Sequence, residues 1–458
     1  MLPQSLTPFL AFAALLLAPL VPLPAAELNG VRVSFEGDAG TADLAAELIE
    51  PFKLQIHVNP GAEGKPLALR VELPSSGSRV WPAADVEVRD AQGKALLVRR
   101  TGIEWFKLLI PVPTAAGTYF VQAINPPTNK LPPPADKDRL ISDSATGLRL
   151  GIAKWPDGRA AALSIRFDDS HPSHLTKAAP ILREYGFRGT FMINPGTSEP
   201  GSRRTSDFAQ RQAEWGALAR QGDHELANHS AHHRGAVGDD DMEAEIGAAA
   251  QAIWKMTPGK SKLMALNLGG GTRWETTRTL RYYLDKYHQF DAGENSTGMD
   301  DSYGQRVANF RRILEQHIAR GLWCRIHYHY IGDGLSSSEA NFRAALDIAK
   351  EHAASLWIAG MADIHKYQTE RVSAKLTLQH SGPRRVTFRL TCQTDPALYD
   401  QPLTLEISRA SSLDARRLEL KDAEGKVIPL RAGRADSASV LRFEVPPRDG
   451  IYSLEVKP

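Results

Sequence analysis

Cysteine is nearly absent from this 458-residue chain: Cys324 and Cys392 are the only two. Two thiols make no disulfide framework and exclude a zinc–thiolate cluster, so any metal must be held by nitrogen and oxygen ligands. An excess of either charge is missing as well. The formal net charge is +2, and no basic tract interleaved with aromatics occurs, which leaves nucleic acid without an evident binding signal. Two catalytic signatures are lacking. No Gly-x-Ser-x-Gly elbow offers a serine nucleophile, and the run Gly269-Gly270-Gly271-Thr272 lacks the Lys-Ser/Thr of a phosphate loop. A long apolar run occurs only at the N-terminus, from Phe9 to Val21. It is short for a membrane span and is interrupted by Pro19. Pro24-Ala25-Ala26 supplies small residues suited to cleavage, so residues 1–26 are expected to be a signal peptide, although no Lys or Arg precedes the run. An uncleaved N-terminal anchor is the alternative. The expectation is an exported protein, secreted or held in the periplasm or cell envelope, with no membrane span after cleavage.

What is present reads as three segments. The apolar and charged fractions, 42% and 24%, are ordinary for a globular protein, and the length suggests about three domains. Residues 27–150 carry short alternating runs, such as Val31–Phe35, Phe52–Ile56 and Leu69–Leu73, punctuated by Pro, Gly and Asn. That pattern predicts an all-β sandwich, ending in a Pro-rich connector at Pro126-Pro127 and Pro132–Pro134. Residues 371–458 have the same texture and repeat two elements of it. Asp90-Ala91-Gln92-Gly93-Lys94 returns as Asp422-Ala423-Glu424-Gly425-Lys426. Each is followed by Val-Pro-x-x-x-Gly-x-Tyr, ending at Tyr119 and at Tyr452. Two sandwich modules of one type are expected to flank the middle; convergent hairpin chemistry would give the same strings. Between them, residues 151–370 alternate short apolar strands with helical stretches, which predicts an α/β domain with a parallel sheet or barrel. The helical stretches are 175–184, 240–254, 276–287, 305–320 and 338–352.

Three clusters in the middle segment carry chemistry. Asp168-Asp169 closes the apolar run beginning at Ala161. Adjacent residues on an extended segment point to opposite sides, so one carboxylate can face a cation while the other accepts a proton. His229 and His233, at i and i+4, share one face if the segment is a helical turn, leaving His232 to point elsewhere. Trp323–Tyr330 reads as a strand with His327 and His329 on one face, and either imidazole can serve as a proton donor near neutral pH. His329 lies nearer the C-terminal end, where functional groups of parallel sheets collect. One carboxylate and two imidazoles with an open position make a catalytic type of metal site. Asp169, His229 and His233 are therefore the expected ligands, Asp168 the expected base. His171 and His174 form a further cluster near the acid pair, and Cys324 faces away from the histidines.

These residues resemble the polysaccharide deacetylase, or NodB-homology, family of carbohydrate esterases. Ile165-Arg166-Phe167-Asp168-Asp169-Ser170 is similar to its first motif, Thr-Phe-Asp-Asp-Gly. Glu225–His233 is similar to the second, with a His-Ser/Thr-x-x-His core, and Tyr185–Met192 to the helix-to-strand segment between them. The strand at Ile326–Ile331 looks like the last motif. The resemblance implies a central distorted (β/α) barrel that removes acetyl groups from amino sugars, or acetyl esters from a glycan, with a divalent cation that is usually Zn2+. In those terms Asp168 is the base, Asp169, His229 and His233 the ligands, and His329 the acid. Two departures stand out: Arg166 and Ser170 replace the usual Thr and Gly. The family's third-motif Arg, which contacts the base, is missing from Ala265–Gly270, where Arg273 is the candidate substitute. A poly- or oligosaccharide is the implied partner. An acetyl-ester hydrolase of the acetyl xylan type and a catalytically silent glycan-binding protein are the competing readings. Exposed Trp81 or Trp105 would serve the latter, and core packing is the plainer role for both.

Overall fold

Every residue from Ala161 to Phe167 is buried, as expected of a strand covered on both faces. It is the centre of a sheet whose strands, in chain order, are β1 (Ala161–Phe167), β2 (Gly189–Ile193), β3 (Glu225–Asn228), β4 (Met264–Leu266), β5 (Gln289–Asp291), β6 (Thr297–Gly298), β7 (Trp323–Tyr328) and β8 (Leu356–Ile358). In the computed structural model, which describes residues 25–457 except 38, 63–65, 77–79, 103, 113–115, 127–135, 197–205, 293–295, 410–414 and 433–439, the spatial order is β5-β4-β3-β2-β1-β7-β6, with β8 also paired to β1. All of these pairings are parallel. Among the described residues no pairing joins β5 to β6, so the expected distorted barrel is open, a half-barrel. Helices Ala179–Tyr185, Ala248–Met256, Leu280–Lys286, Arg306–Arg320 and Glu339–Glu351 fall within or close to the helical stretches read from the sequence. A core that includes Leu163, Ile165, Phe167, Phe191, Phe310 and Phe342 packs them on the sheet. Asp168, Asp169, His229, Asn267 and His329 then lie just past the C-terminal ends of β1, β3, β4 and β7, all on one rim of the sheet.

The N-terminal flank is two antiparallel sheets facing each other. Val31, Val33, Leu69 and Ile110 of one meet Leu54, Ile56, Val88 and Val121 of the other. The C-terminal flank is built in the same way around Leu405, Ile407, Phe388 and Leu454. The repeated strings adopt the same conformation. Gly93 and Gly425 sit at φ +79° and +81° in matching turns, in which Asp90 and Asp422 accept hydrogen bonds from the amides of Lys94 and Lys426. Tyr119 and Tyr452 are buried, each lying over the glycine two residues before it. Trp81 and Trp105 are both buried, so neither is an exposed sugar platform.

Two boundaries differ from the sequence expectation. Leu140–Ser142 and Leu148–Ile152, assigned above to the N-terminal segment 27–150, pair through Leu148–Ile152 with Leu403–Arg409 and so complete the C-terminal sandwich. Their alternating Leu148, Leu150 and Ile152 fill that core, whatever their position in the chain. The seven-stranded sheet of the N-terminal module does not stop at the module either: its strand Val98–Thr101 pairs with Arg273–Thr276 of the middle segment. Residues 1–24, most of the expected signal peptide, and the connector prolines 127 and 132–134 lie outside the described residues. Among the described residues no helix is long and apolar enough to cross a membrane.

Candidate active site

The end of β1 is held in an unusual backbone. Asp169 and Ser170 have φ of +81° and +50°, a region that L side chains rarely occupy and that tends to persist where neighbours over-determine it. Here the Ser170 hydroxyl accepts a hydrogen bond from the Asn194 amide at 2.6 Å. This turn brings Asp169 to the two histidines that follow β3. Its Oδ1 is 3.4 Å from His229 Nε2 and 3.7 Å from His233 Nε2. One ligand atom from each of the three lies within 4.8 Å of the others, and all three residues are buried.

The histidines do not reach this position on a helical turn. Residues 229–234 form an irregular bend with Ser230 at φ +65° and His233 at φ +55°. The i, i+4 expectation is right about the meeting and wrong about the backbone. Side chains make the bend: Asn194 donates to the carbonyls of His229 and Ser230 at 2.7 and 2.9 Å, Asn228 accepts from the Ser230 amide at 2.8 Å, and Ser230 Oγ accepts from the His233 amide at 3.0 Å. Side-chain bonds to local backbone compete with helix, and here they win. His229 Nδ1 bonds the Asn267 carbonyl at 2.8 Å, so Nδ1 carries the proton and Nε2 offers its lone pair toward Asp169. His232 turns away to Glu245, 2.7 Å from its Nδ1. The donor set, buried carboxylate plus two imidazoles with one tautomer fixed, fits a divalent cation.

Asp168 faces the other way, though the pair lies at a turn and not on the extended backbone expected of it. Arg166, two residues earlier on the same strand face, reaches it with two nitrogens: Nε lies 2.9 Å from Oδ1, and Nη2 donates to Oδ2 at 3.0 Å. Burial pushes the Asp168 carboxyl up, but the Arg166 charge, aided by His229, His327 and His329, outweighs it and holds the group well below the usual carboxylate range. The proposed substitute Arg273 is not involved: it is exposed on the strand paired with Val98–Thr101. The arginine missing from Ala265–Gly270 therefore has its counterpart inside the first motif.

His329 lies just past the end of β7, next to Asp168, whose amide donates to the Tyr328 carbonyl at 3.0 Å. Its Nδ1–H donates to Asp300 Oδ2 at 2.5 Å, and its amide donates to Asp300 Oδ1 at 3.0 Å. Burial lowers the imidazole's pKa, yet the Asp300 hydrogen bond together with the Asp168 charge raises it above the ordinary value. His327, opposite Arg166 in register, is more deeply set; burial and the Arg166 charge push it down to about 4. Its Nδ1 is 2.7 Å from the Ser296 hydroxyl. Of the two, His329 has the environment of a proton donor at neutral pH. Tyr330 closes the far side, donating to Asp169 Oδ2 at 3.0 Å, with His171 lying tilted over its ring at 4.2 Å between centroids. His174 is fully buried and bonds the His329 carbonyl. Neither His171 nor His174 belongs to the Asp169–His229–His233 group. Cys324 is buried in the core.

Sequence reading missed Arg166 as the partner of Asp168, as well as Asn194 and Asp300. Arg166 had a signal, the period of two on one strand. Asn194 and Asp300 had none that local pattern could supply.

Among curated proteins, a gellan lyase from Bacillus sp is 20% identical over 292 residues, taking in 56% of this chain but only 11% of the relative's length. Solved structures that resemble the chain include a family 4 carbohydrate esterase from Streptomyces lividans in complex with acetate (22% identity, 45% of this chain and 95% of that one, TM-score 0.33). Others are a family 4 acetyl xylan esterase from Clostridium thermocellum with a cobalt ion (16%, 44% and 89%, 0.30) and a family 4 pseudoenzyme from Bacillus anthracis (11%, 44% and 64%, 0.30). Likeness at those scores carries no inference about activity. The family model described as polysaccharide deacetylase matches residues 156–285, the stretch that holds Asp168, Asp169, His229 and His233. Residues 156–285 thus match the polysaccharide deacetylase (NodB-homology) family, the one that the motifs of this stretch resemble.

Proposed function

We propose that the chain is an exported, metal-dependent hydrolase that removes acetyl groups, N- or O-linked, from a glycan. The observation that carries the reading is the buried Asp169–His229–His233 group with Asp168 and His329 on adjoining strand ends beside it. A divalent cation at that group supplies Lewis acidity, lowering the pKa of water and polarising a carbonyl oxygen. The two-nitrogen, one-oxygen donor set favours Zn2+. Asp168 takes the proton of the attacking water, and Arg166 keeps it ionised and aimed. His329, held in one tautomer by Asp300, gives its proton to the departing nitrogen or oxygen as the bond to the acetyl carbon breaks, and acetate leaves. Amide and ester substrates pass through the same kind of oxyanion, so the site serves either. The leader pattern of residues 1–26 supports export.

The test is acetate release from a panel of acetylated glycans by the purified protein, with chelator and then with Zn2+ added back. Release that chelation abolishes and Zn2+ restores is the expected result. Bound Zn2+ with no release from any substrate would replace the hydrolase by a glycan-binding role.

A further inference from the structure

Both loops that place the histidines run directly into the sheet of the N-terminal module. After His233 the chain enters Gly235–Val237, which pairs with Arg273–Thr276, and that strand pairs with Val98–Thr101. Arg99 and Glu275 form an ion pair across the second junction. The loop between β4 and Arg273, residues 267–272, is thus anchored at its far end by the N-terminal module.

That loop touches both histidines. The Asn267 carbonyl accepts from His229 Nδ1 at 2.8 Å. Gly269, at φ +78°, passes so close to the His233 ring that a Cβ there would overlap it. Its opposite side is covered by the hairpin tip that follows Thr101. The Gly102 amide donates to the Thr272 carbonyl at 3.1 Å, and a Cβ on Gly102 would run into the Gly269 carbonyl and the Thr272 hydroxyl. Thr272 Oγ1 in turn donates to the Gly269 carbonyl at 2.8 Å and accepts from Trp274 Nε1 at 2.7 Å. From the same hairpin, Trp105 is buried with Leu266, Leu268 and Trp274. A single residue, Gly269, separates Gly102 from the His233 ring, and His229 is reached through Asn267 of the same loop.

We infer that the Gly102 hairpin tip is a positioning element of the cation site: by fixing residues 267–272 it orients His229 and His233, so the N-terminal module is part of the site's frame. This rests on the cation reading above. Groups that orient metal-ligating histidines typically govern affinity by about 10–100-fold.

The test is the Zn2+ dissociation constant of the full chain, by competition with a chromophoric chelator, with the visible absorption of the Co2+ form as a second readout. Three variants are compared with the wild type: Gly102→Val, Glu275→Gln, and Gln92→Ala, an exposed position in the same module. Circular dichroism checks folding. A folded Gly102→Val should bind Zn2+ about tenfold more weakly and shift the Co2+ bands, while Gln92→Ala matches wild type. If Gly102→Val does not fold, Glu275→Gln decides, since it breaks the ion pair without adding bulk; the expected weakening is then about threefold, the worth of a partly exposed ion pair. Wild-type affinity and an unchanged Co2+ spectrum in the deciding variant overturn the inference. Failure of the wild type to bind Zn2+ at all overturns the cation reading itself, and the inference with it.

Discussion

The pair of nitrogens that Arg166 presents to Asp168 decides what this carboxylate can do. It arrives from the strand itself, so the carboxylate proposed as the base is aimed by the rigid centre of the sheet and not by a loop. Arg166→Ala is expected to lower kcat by about 10²-fold while leaving one Zn2+ bound per chain, since misplacing a reacting group by an ångström costs that much. Metal analysis beside steady-state kinetics checks it. Asp300 acts on His329, the proposed acid. With Asp300 present, His329 titrates above an ordinary imidazole and so keeps its proton to higher pH. In Asp300→Asn the burial that lowers the pKa loses its largest counterweight and only the Asp168 and Asp169 charges still oppose it, so the protonated form is lost at lower pH. The alkaline limb of the kcat/KM profile should therefore move to lower pH; a limb that stays put would remove His329 as the donor. The period of two makes Arg166 and Asp168 neighbours from the sequence alone. Asp300, 29 residues before its partner, can be found only when both are placed in space.

At the scale of elements, the half-barrel strands and their helices were legible because each writes its own periodicity. Ala161–Phe167 reads as a doubly covered strand, and Ser338, whose side chain accepts from the Asn341 amide, starts the helix Glu339–Glu351. The bend at 229–234 was not legible. Its spacing is helical, but the bonds from Asn194, Asn228 and Ser230 satisfy the backbone in another way. Asn194→Ala removes the two bonds that hold the His229 and Ser230 carbonyls. We expect Zn2+ affinity to fall by about tenfold with the fold retained, measured by chelator competition together with thermal melting. The repeated turns at Gly93 and Gly425 belong to the same scale. Their shared strings gave matching loops because the Asp side chain bonds the amide four residues on in both.

Across the whole molecule the three segments share interiors where they meet, although the N-terminal sandwich also has a core of its own. Trp105 of the N-terminal module shares a core with Trp274 and Leu284 of the middle, and Leu405 of the C-terminal module shares one with Ala162, Ala359 and Tyr367. Extensive apolar contact between segments ties their unfolding together. Calorimetry should therefore record one transition and not three, and Trp105→Ala should lower the stability of that single transition by about 3–5 kcal/mol. Separate melting of the N-terminal module would contradict it.

The chain alone determined what depends on near neighbours: the strand and helix runs, the β texture of both flanks, the acid pair and the histidines that accompany it. Only the tertiary structure decided what depends on distant partners. It gave Leu148–Ile152 to the C-terminal sandwich, carried the N-terminal sheet into the loops behind His229 and His233, and set Asp300 behind His329. Periodicity and turn chemistry are local and can be read along a chain. Which edge a strand joins, and which carboxylate meets which imidazole, is fixed by the burial available once all segments pack together.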